Sequence, residues 1–158
     1  EDSGARIRNI QRKVAQNTPK SGLIMTADVS TSDDIHPKNK KPVGERLANL
    51  VLKNEYGKHL GLVNAPTPER VLFEGQKAVV FLQNAEGLHF KNARSPQFEL
   101  AGKDGKYYPA KAVIKNNTIE IKSAQVKQPI SVRYAWKNTA MPDIFNQIEL
   151  PLTTFELE

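Results

Sequence analysis

Gly22-Leu23-Ile24-Met25-Thr26-Ala27 is a short apolar run. Asp33-Asp34-Ile35-His36-Pro37 follows it, and Val43 to Val51 then carries the spacing of an amphipathic helix. Strand, loop, helix is the order in which α/β enzymes present catalytic groups at the carboxyl end of a sheet strand. Leu23 to Ala27, bounded by Gly22 and Asp28, suits a buried parallel strand. In the loop, a His with an acidic residue two or three positions before it has the makings of an oriented general base. The imidazole takes a proton from a nucleophile, and the carboxylate fixes its tautomer and stabilises the imidazolium. His36 precedes a helix N-terminus, whose partial positive charge disfavours imidazolium, so His36 needs such an acid in order to work as a base. Both Asp33 and Asp34 have the spacing.

Outward from this stretch the pattern stays helical on both sides. Ala5 to Gln16 reads as a helix with Ile7, Ile10 and Val14 on one face, at i, i+3 and i+7. Asn17-Thr18-Pro19 stops it, because proline disfavours helix at the residue before it. In the second helix Asn39 is the expected N-cap, and Pro42 is tolerated in the first turn. Val43, Leu47, Leu50 and Val51 form the expected buried stripe, Glu45, Arg46, Lys53 and Glu55 face out, and Gly57 is the expected C-cap. Helix, strand, helix predicts the last unit of a doubly wound sheet over residues 1–60.

Residues 61–68, with Gly61, Pro66 and Pro68, read as a linker. Beyond it the period changes to that of strands. Arg70–Phe73, Ala78–Leu82, Gln97–Ala101, Lys106–Tyr108, Lys111–Ile114, Thr118–Lys122, Ile130–Trp136 and Pro151–Phe155 are the candidates, separated by turn signals such as Glu74-Gly75 and Asn116-Asn117. Ile119 and Ile121 alternate with Thr118, Glu120 and Lys122, the period of a half-buried strand. Val132, Tyr134 and Trp136 are expected on one face of another strand, with Arg133 on the opposite face paired to an acid. Many short strands with closely spaced turns predict a β-sandwich over residues 61–158. The expected fold class is therefore α/β followed by all-β.

With 158 residues, 39% hydrophobic and 25% charged, the chain has the composition of a soluble protein with a real core. No run approaches the roughly 20 apolar residues of a membrane span. The absence of Cys excludes disulfides, Cys-zinc sites and thiol catalysis. The net charge of +6 is scattered among acids, and its densest group, Lys38, Lys40 and Lys41, has no interleaved aromatics, which argues against nucleic acid. That group reads as a charged helix start rather than a lure for an anionic sugar. His59 and His89 have no metal-ligand spacing around them, so neither a metal nor any other cofactor is expected. Tyr134 and Trp136 read as core rather than as a sugar-stacking platform. A strand-end Asp such as Asp28 serves loop amides as readily as catalysis.

The string Asp28-Val29-Ser30-Thr31-Ser32-Asp33-Asp34-Ile35-His36-Pro37-Lys38-Asn39-Lys40-Lys41-Pro42-Val43-Gly44-Glu45-Arg46-Leu47-Ala48 resembles the last motif block of the sialate O-acetylesterase family. Tyr56-Gly57 is similar to the end of that family's final helix, and Val132-Arg133-Tyr134-Ala135-Trp136 and Leu150-Pro151 to parts of its β-rich C-terminal region. The family consists of Ser-His hydrolases of the SGNH type, with a flavodoxin-like catalytic domain, that remove acetyl esters from sugars. The resemblance implies that residues 1–60 end such a domain and that 61–158 form the β-sandwich behind it. It implies an O-acetylated sugar as substrate, His36 as general base, and an export location. The SGNH pattern places the triad Asp three before the His, which points to Asp33. The sialate esterase block more regularly has an acid two before it, which points to Asp34. Tight-turn geometry favours Asp33 for orienting the ring and Asp34 for capping the loop, and Asp28 matches an acidic position the family also tends to carry. The family's nucleophile sits in an early Gly-Asp-Ser-type block. None of Ser3, Ser21, Ser30, Ser32, Ser95, Ser123 and Ser131 has that setting, so the chain is expected to be the C-terminal portion of a longer enzyme whose preceding part supplies the Ser. The rival reading is a non-catalytic β-sandwich module that binds carbohydrate, which would have no use for an intact Asp-Asp-Ile-His-Pro block.

Overall fold

A computed structural model describes residues 2–31, 36 and 38–158. Among the described residues two helices, α1 (Ser3–Asn17) and α2 (Lys41–Asn54), precede nine strands: β1 (Thr67–Glu74), β2 (Lys77–Gln83), β3 (His89–Phe90), β4 (Phe98–Ala101), β5 (Tyr107–Lys115), β6 (Thr118–Lys122), β7 (Ser131–Tyr134), β8 (Ile144–Phe145) and β9 (Phe155–Leu157). Seven of them form one antiparallel sheet in the order β1-β2-β6-β5-β4-β7-β9, and β3 pairs with β8. The protein is thus a β-rich domain with two helices.

Two hairpins set the register of one half. Gly75 (φ 58°) lies in the two-residue turn between β1 and β2, and Asn116 (φ 52°) in that between β5 and β6. Such turns need a positive φ to match the strands' twist, which Gly and Asn tolerate. The alternation Thr118–Lys122 then resolves as expected, with Ile119 and Ile121 fully buried. β5 joins the two halves. Tyr107–Ala110 pairs with β4, while Lys111–Lys115 pairs with β6, so one strand passes from one part of the sheet to the other. The end strands β1 and β9 also approach each other, and the sheet nearly closes. Its single core packs Val80, Ile119 and Ile121 from one half against Phe98, Leu100, Val132, Tyr134 and Phe155 from the other. Phe98 and Tyr134 have ring centroids 4.8 Å apart, in a tilted aromatic pair.

The expected strands Lys106–Tyr108 and Lys111–Ile114 are one strand, since Pro109 sits within β5 on its outer face. Pro151–Phe155 differs too: Pro151 makes only an isolated bridge to Phe145, and the strand begins at Phe155. Trp136 does not share the face of Val132 and Tyr134. Ala135 takes a positive φ of 54°, which breaks the alternation, and the Arg133 guanidinium lies 5.8 Å from the Trp136 ring. The Trp136 indole N–H donates to Asp2 at the start of α1 (3.0 Å). Arg133 does find its acid, Glu99, at 2.7 Å.

The helical region departs further from expectation. Leu23–Thr26 has no regular secondary structure and joins no ladder among the described residues, and Ala27 already belongs to the turn Ala27–Val29. Ile7, Ile10 and Val14 are 57%, 59% and 55% exposed. The face of α1 that packs on the sheet is instead polar. Asn9 and Arg12 are buried, and Arg8 donates to Thr154 (3.0 Å) and to the carbonyl of Lys137 (2.7 Å). In α2 only Leu50 of the expected stripe is buried; Val43 is half-buried, and Leu47 and Val51 are 49% and 45% exposed. Lys40, not Asn39, is the N-cap of α2, with no side-chain cap bond. The C-cap of α2 is Glu55 rather than Gly57; Gly57 (φ 61°) lies two residues further on, where the Lys58 amide returns to the Leu52 carbonyl (3.0 Å).

The 61–68 stretch is packed rather than loose. Val63 and Ala65 are buried, and Ala65 meets Met25 and Leu150 in a small second cluster. Fully buried Asn146 holds it: its amide N–H donates to the carbonyls of Asn64 and Asn84 (both 3.1 Å), and its amide oxygen accepts from Ile148 and Leu150.

Candidate active-site loop

The loop with His36 runs from the turn at Ala27–Val29 to the start of α2, and His36 is exposed on it. Asp33 and Asp34, the two acids that sequence spacing offers for orienting His36, lie outside the described residues, as do Ser32, Ile35 and Pro37. What the structure places is the base of this loop. Both carboxylate oxygens of Asp28 accept from Arg46 of α2, at 2.7 and 2.6 Å, and Arg46 also donates to the Met25 carbonyl (2.5 Å). The two side chains are largely buried. A bidentate guanidinium–carboxylate fork fixes angle as well as distance. It closes a loop whose ends are 18 residues apart and ties the segment before His36 to the helix after it. Arg46, expected to face out, is therefore turned inward, and the Asp28 carboxylate is committed to the scaffold. Sequence reasoning noted Asp28 alone; the partner was legible only as an Arg on the helix of the same motif block.

Beside the loop base, Leu23–Ala27, Ser30 and Thr31 line one wall of a groove of about 280 Å³, with Asn138–Met141 opposite. Lys38, Lys40 and Lys41 are exposed. Lys41 reaches Glu45 at 3.5 Å, an exposed i,i+4 pair of small energetic weight.

The serines of the sheet region are engaged in structure. Ser95 accepts from the Gln97 amide (3.1 Å), and Ser123 donates to the Pro109 carbonyl (2.8 Å). Ser131 is the one with a catalytic look, its hydroxyl 2.5 Å from the Tyr107 hydroxyl, which donates to Glu156 (2.8 Å). Burial pushes the Tyr107 phenol up to about 12, so it stays protonated and is no base for Ser131, whose own hydroxyl donates to the Leu157 carbonyl (3.2 Å). Ser21 donates to the carbonyls of Ala15 and Thr18 at the end of α1.

His59 is exposed, and His89 sits in β3 with its Nδ1 3.0 Å from the Gly87 carbonyl and its Nε2 3.4 Å from Glu149. Among the described residues no group of three His, Cys, Asp or Glu stands where it would hold a metal ion, and no helix is long and apolar enough to cross a membrane. Asp143 shows one buried carboxylate oxygen bonded to the Tyr134 hydroxyl (2.8 Å) and the other without a partner. Burial and the nearby Asp143 charge hold the Tyr134 phenol well above its usual range.

No family model and no curated protein sequence matches this chain. Among solved structures it is similar to a carbohydrate acetylesterase from Xanthomonas citri, with a TM-score of 0.86 and 32% sequence identity. The likeness covers 94% of this chain and 34% of that one, so the chain spans about a third of the length of the acetylesterase it matches.

Proposed function

We propose that this chain is the His-bearing portion of a carbohydrate O-acetylesterase of the SGNH, sialate-esterase kind, and that the nucleophilic Ser comes from polypeptide outside these 158 residues. The carrying observation is the fold likeness to a carbohydrate acetylesterase, at 32% identity over nearly the whole chain. The outward apolar faces of α1 and α2 and the unladdered Leu23–Ala27 support it, because a helix-strand-helix unit is in that state when the sheet it completes is not beside it. In this reading residues 61–158 are a β-sandwich behind the catalytic domain, and the enzyme is exported.

The chemistry is acyl transfer. The Ser hydroxyl attacks the acetyl carbonyl carbon while His36 takes its proton. The tetrahedral oxyanion collapses, and the sugar oxygen leaves with the proton from the imidazolium. Water, deprotonated by His36, then releases acetate from the acyl-Ser. Asp33 holds Nδ1–H, with Asp34 as the alternative, while the Asp28–Arg46 fork holds the loop that carries all three.

The test is acetate release from O-acetylated sugars, with the gene product that contains this chain and its Ser. His36→Ala should lower kcat about a thousandfold or more. Asp33→Asn should lower kcat with KM nearly unchanged, whereas collapse with Asp34→Asn instead would reverse the assignment of the acid. The 158 residues alone should show no hydrolysis of an aryl acetate. Robust hydrolysis by them, abolished by a serine-directed inhibitor, would overturn the proposal that the Ser lies elsewhere.

A further inference from the structure

The outer face of β2, β6 and β5 carries lysines in a row across the strands. Lys77 pairs across with Lys122, and Lys122 with Lys111, in successive registers of the antiparallel ladder. Adjacent strands lie about 4.8 Å apart, so three ammonium stems stand side by side on interior strands of the sheet. Like charges directly opposite destabilise a strand pair. Edge protection, the usual reason for sheet lysines, does not apply to Lys122, since β6 is paired on both sides, whereas Lys111 lies on the stretch of β5 that pairs with β6 alone. Lys77 is answered by Glu74 (3.6 Å) and Glu120 (3.4 Å), and Lys115 by Glu120 (2.9 Å), but Lys111 and Lys122 are in no ion pair among the described residues. The same face holds Arg70 over the Phe81 ring (3.5 Å), so five cations face two carboxylates. Between Lys111, Lys115 and Lys122 runs an open groove of about 490 Å³ whose floor includes Val113, 55% exposed on β5.

We propose that this face of the β-region binds a linear acidic polysaccharide, with carboxylates of successive sugars on Lys122 and Lys111 and a sugar ring's C–H face over Val113. An apolar strip rimmed by long cations suits a carboxylated sugar, since lysine stems add apolar area while their heads reach the charge. Base recognition would want exposed aromatics for stacking, and among the described residues the aromatic rings of this face, Phe81 and Tyr107, are covered by Arg70 and Arg133. The choice of a sugar polymer rests on the esterase reading above, whereas the binding involves neither His36 nor a Ser.

The test is binding of the isolated chain to polygalacturonate at low salt, against neutral galactan and duplex DNA. Polygalacturonate should bind, galactan should not, and added salt should weaken the complex. Lys111→Glu should weaken it at least tenfold, and Lys111→Met/Lys122→Met, which keeps the aliphatic stems, should do the same. Lys20→Met/Lys58→Met, with the same charge change as the double Met variant but away from this face, should stay within about twofold. Lys111→Glu should also melt no lower than the parent, because it turns a like-charge pair into an opposite one. Unchanged binding in both face variants, equal binding of galactan, or equal binding of DNA would overturn the proposal. Since no catalysis is measured, its failure leaves the esterase reading standing, and an inactive enzyme leaves this binding intact.

Discussion

The two regions of this molecule obey the same hydrophobic patterning with opposite results. In the sheet, alternation and burial agree: Ile119 and Ile121, Val132 and Tyr134 point into a core that both halves of the sheet build. In the helices, periodicity and burial disagree. Ile7, Ile10 and Val14 share a face at helical spacing, and that face is exposed, while Asn9 and Arg12 on the other side are buried against the end of the sheet. An amphipathic period states which side chains lie together; it does not state what lies against them. The sheet supplies its own second layer, so its pattern closes within the chain. The helices' apolar layer is left without one, and their contact with the sheet is made by polar groups instead. Arg12 illustrates the cost: its buried guanidinium is met by the side-chain oxygens of Asn9 and Gln16 and by no carboxylate among the described residues, and desolvation lowers its pKa.

The largest test of that contrast separates the regions. Residues 61–158 alone should unfold cooperatively, followed by circular dichroism against urea, because the main core lies entirely within them. Residues 1–60 alone should show no cooperative transition. Two helices with exposed apolar faces and one irregular, unladdered segment have little to bury among themselves. A 61–158 piece without cooperative unfolding would place the stabilising weight in the helix–sheet contacts, such as Arg8 to Thr154 and Lys137.

A smaller effect is expected at the loop base. Asp28→Asn keeps the shape but removes the charge that receives the Arg46 fork, and should destabilise by about 1–2 kcal/mol, since both groups are largely buried but near the surface. In the longer esterase proposed above kcat should fall with it, because the fork ties the segment before His36 to the helix after it. Loss of stability with full kcat would mean that the loop keeps its working shape without the fork.

Much of the sheet was legible because its signals are local. Thr118–Lys122 has the bounds read from alternation alone, and Gly75 and Asn116 mark their turns by the backbone conformation they tolerate. What stayed hidden depended on distant partners. The joining of Lys106–Tyr108 to Lys111–Ile114 needs β4 and β6 on different stretches of one strand. The 61–68 stretch reads as a linker from its Gly and Pro, yet Asn146, some eighty residues away, pins it down. Trp136 left its expected face through one positive φ at Ala135, a residue type that gives no warning of it. At the candidate site, His36 is singled out by its motif alone, and the Asp28–Arg46 fork became visible only with both ends in place. Asp33 and Asp34 fall outside the described residues, so the choice between them rests on spacing.

The smallest expected effect is the most discriminating for the comparison. Ile10→Gln replaces the most exposed large apolar residue of α1. Burying an Ile side chain stabilises by roughly 1.5–3 kcal/mol, and an Ile left in water forgoes most of that. Gln also has a slightly better helix propensity than β-branched Ile. In the 158-residue chain the substitution should therefore change stability by less than about 0.5 kcal/mol, measured by urea denaturation. In the longer polypeptide, if a catalytic body covers α1, the same substitution should cost about 1.5–3 kcal/mol, the full transfer term. Ile119→Gln, on the closed side of the comparison, should be severe in both settings, because it puts an amide in the core beside Val80 and Ile121. Equal, near-zero effects of Ile10→Gln in the short and long proteins would show that the α1 face stays open to water in the whole enzyme, and the outward stripe would then cease to support a catalytic body packed there.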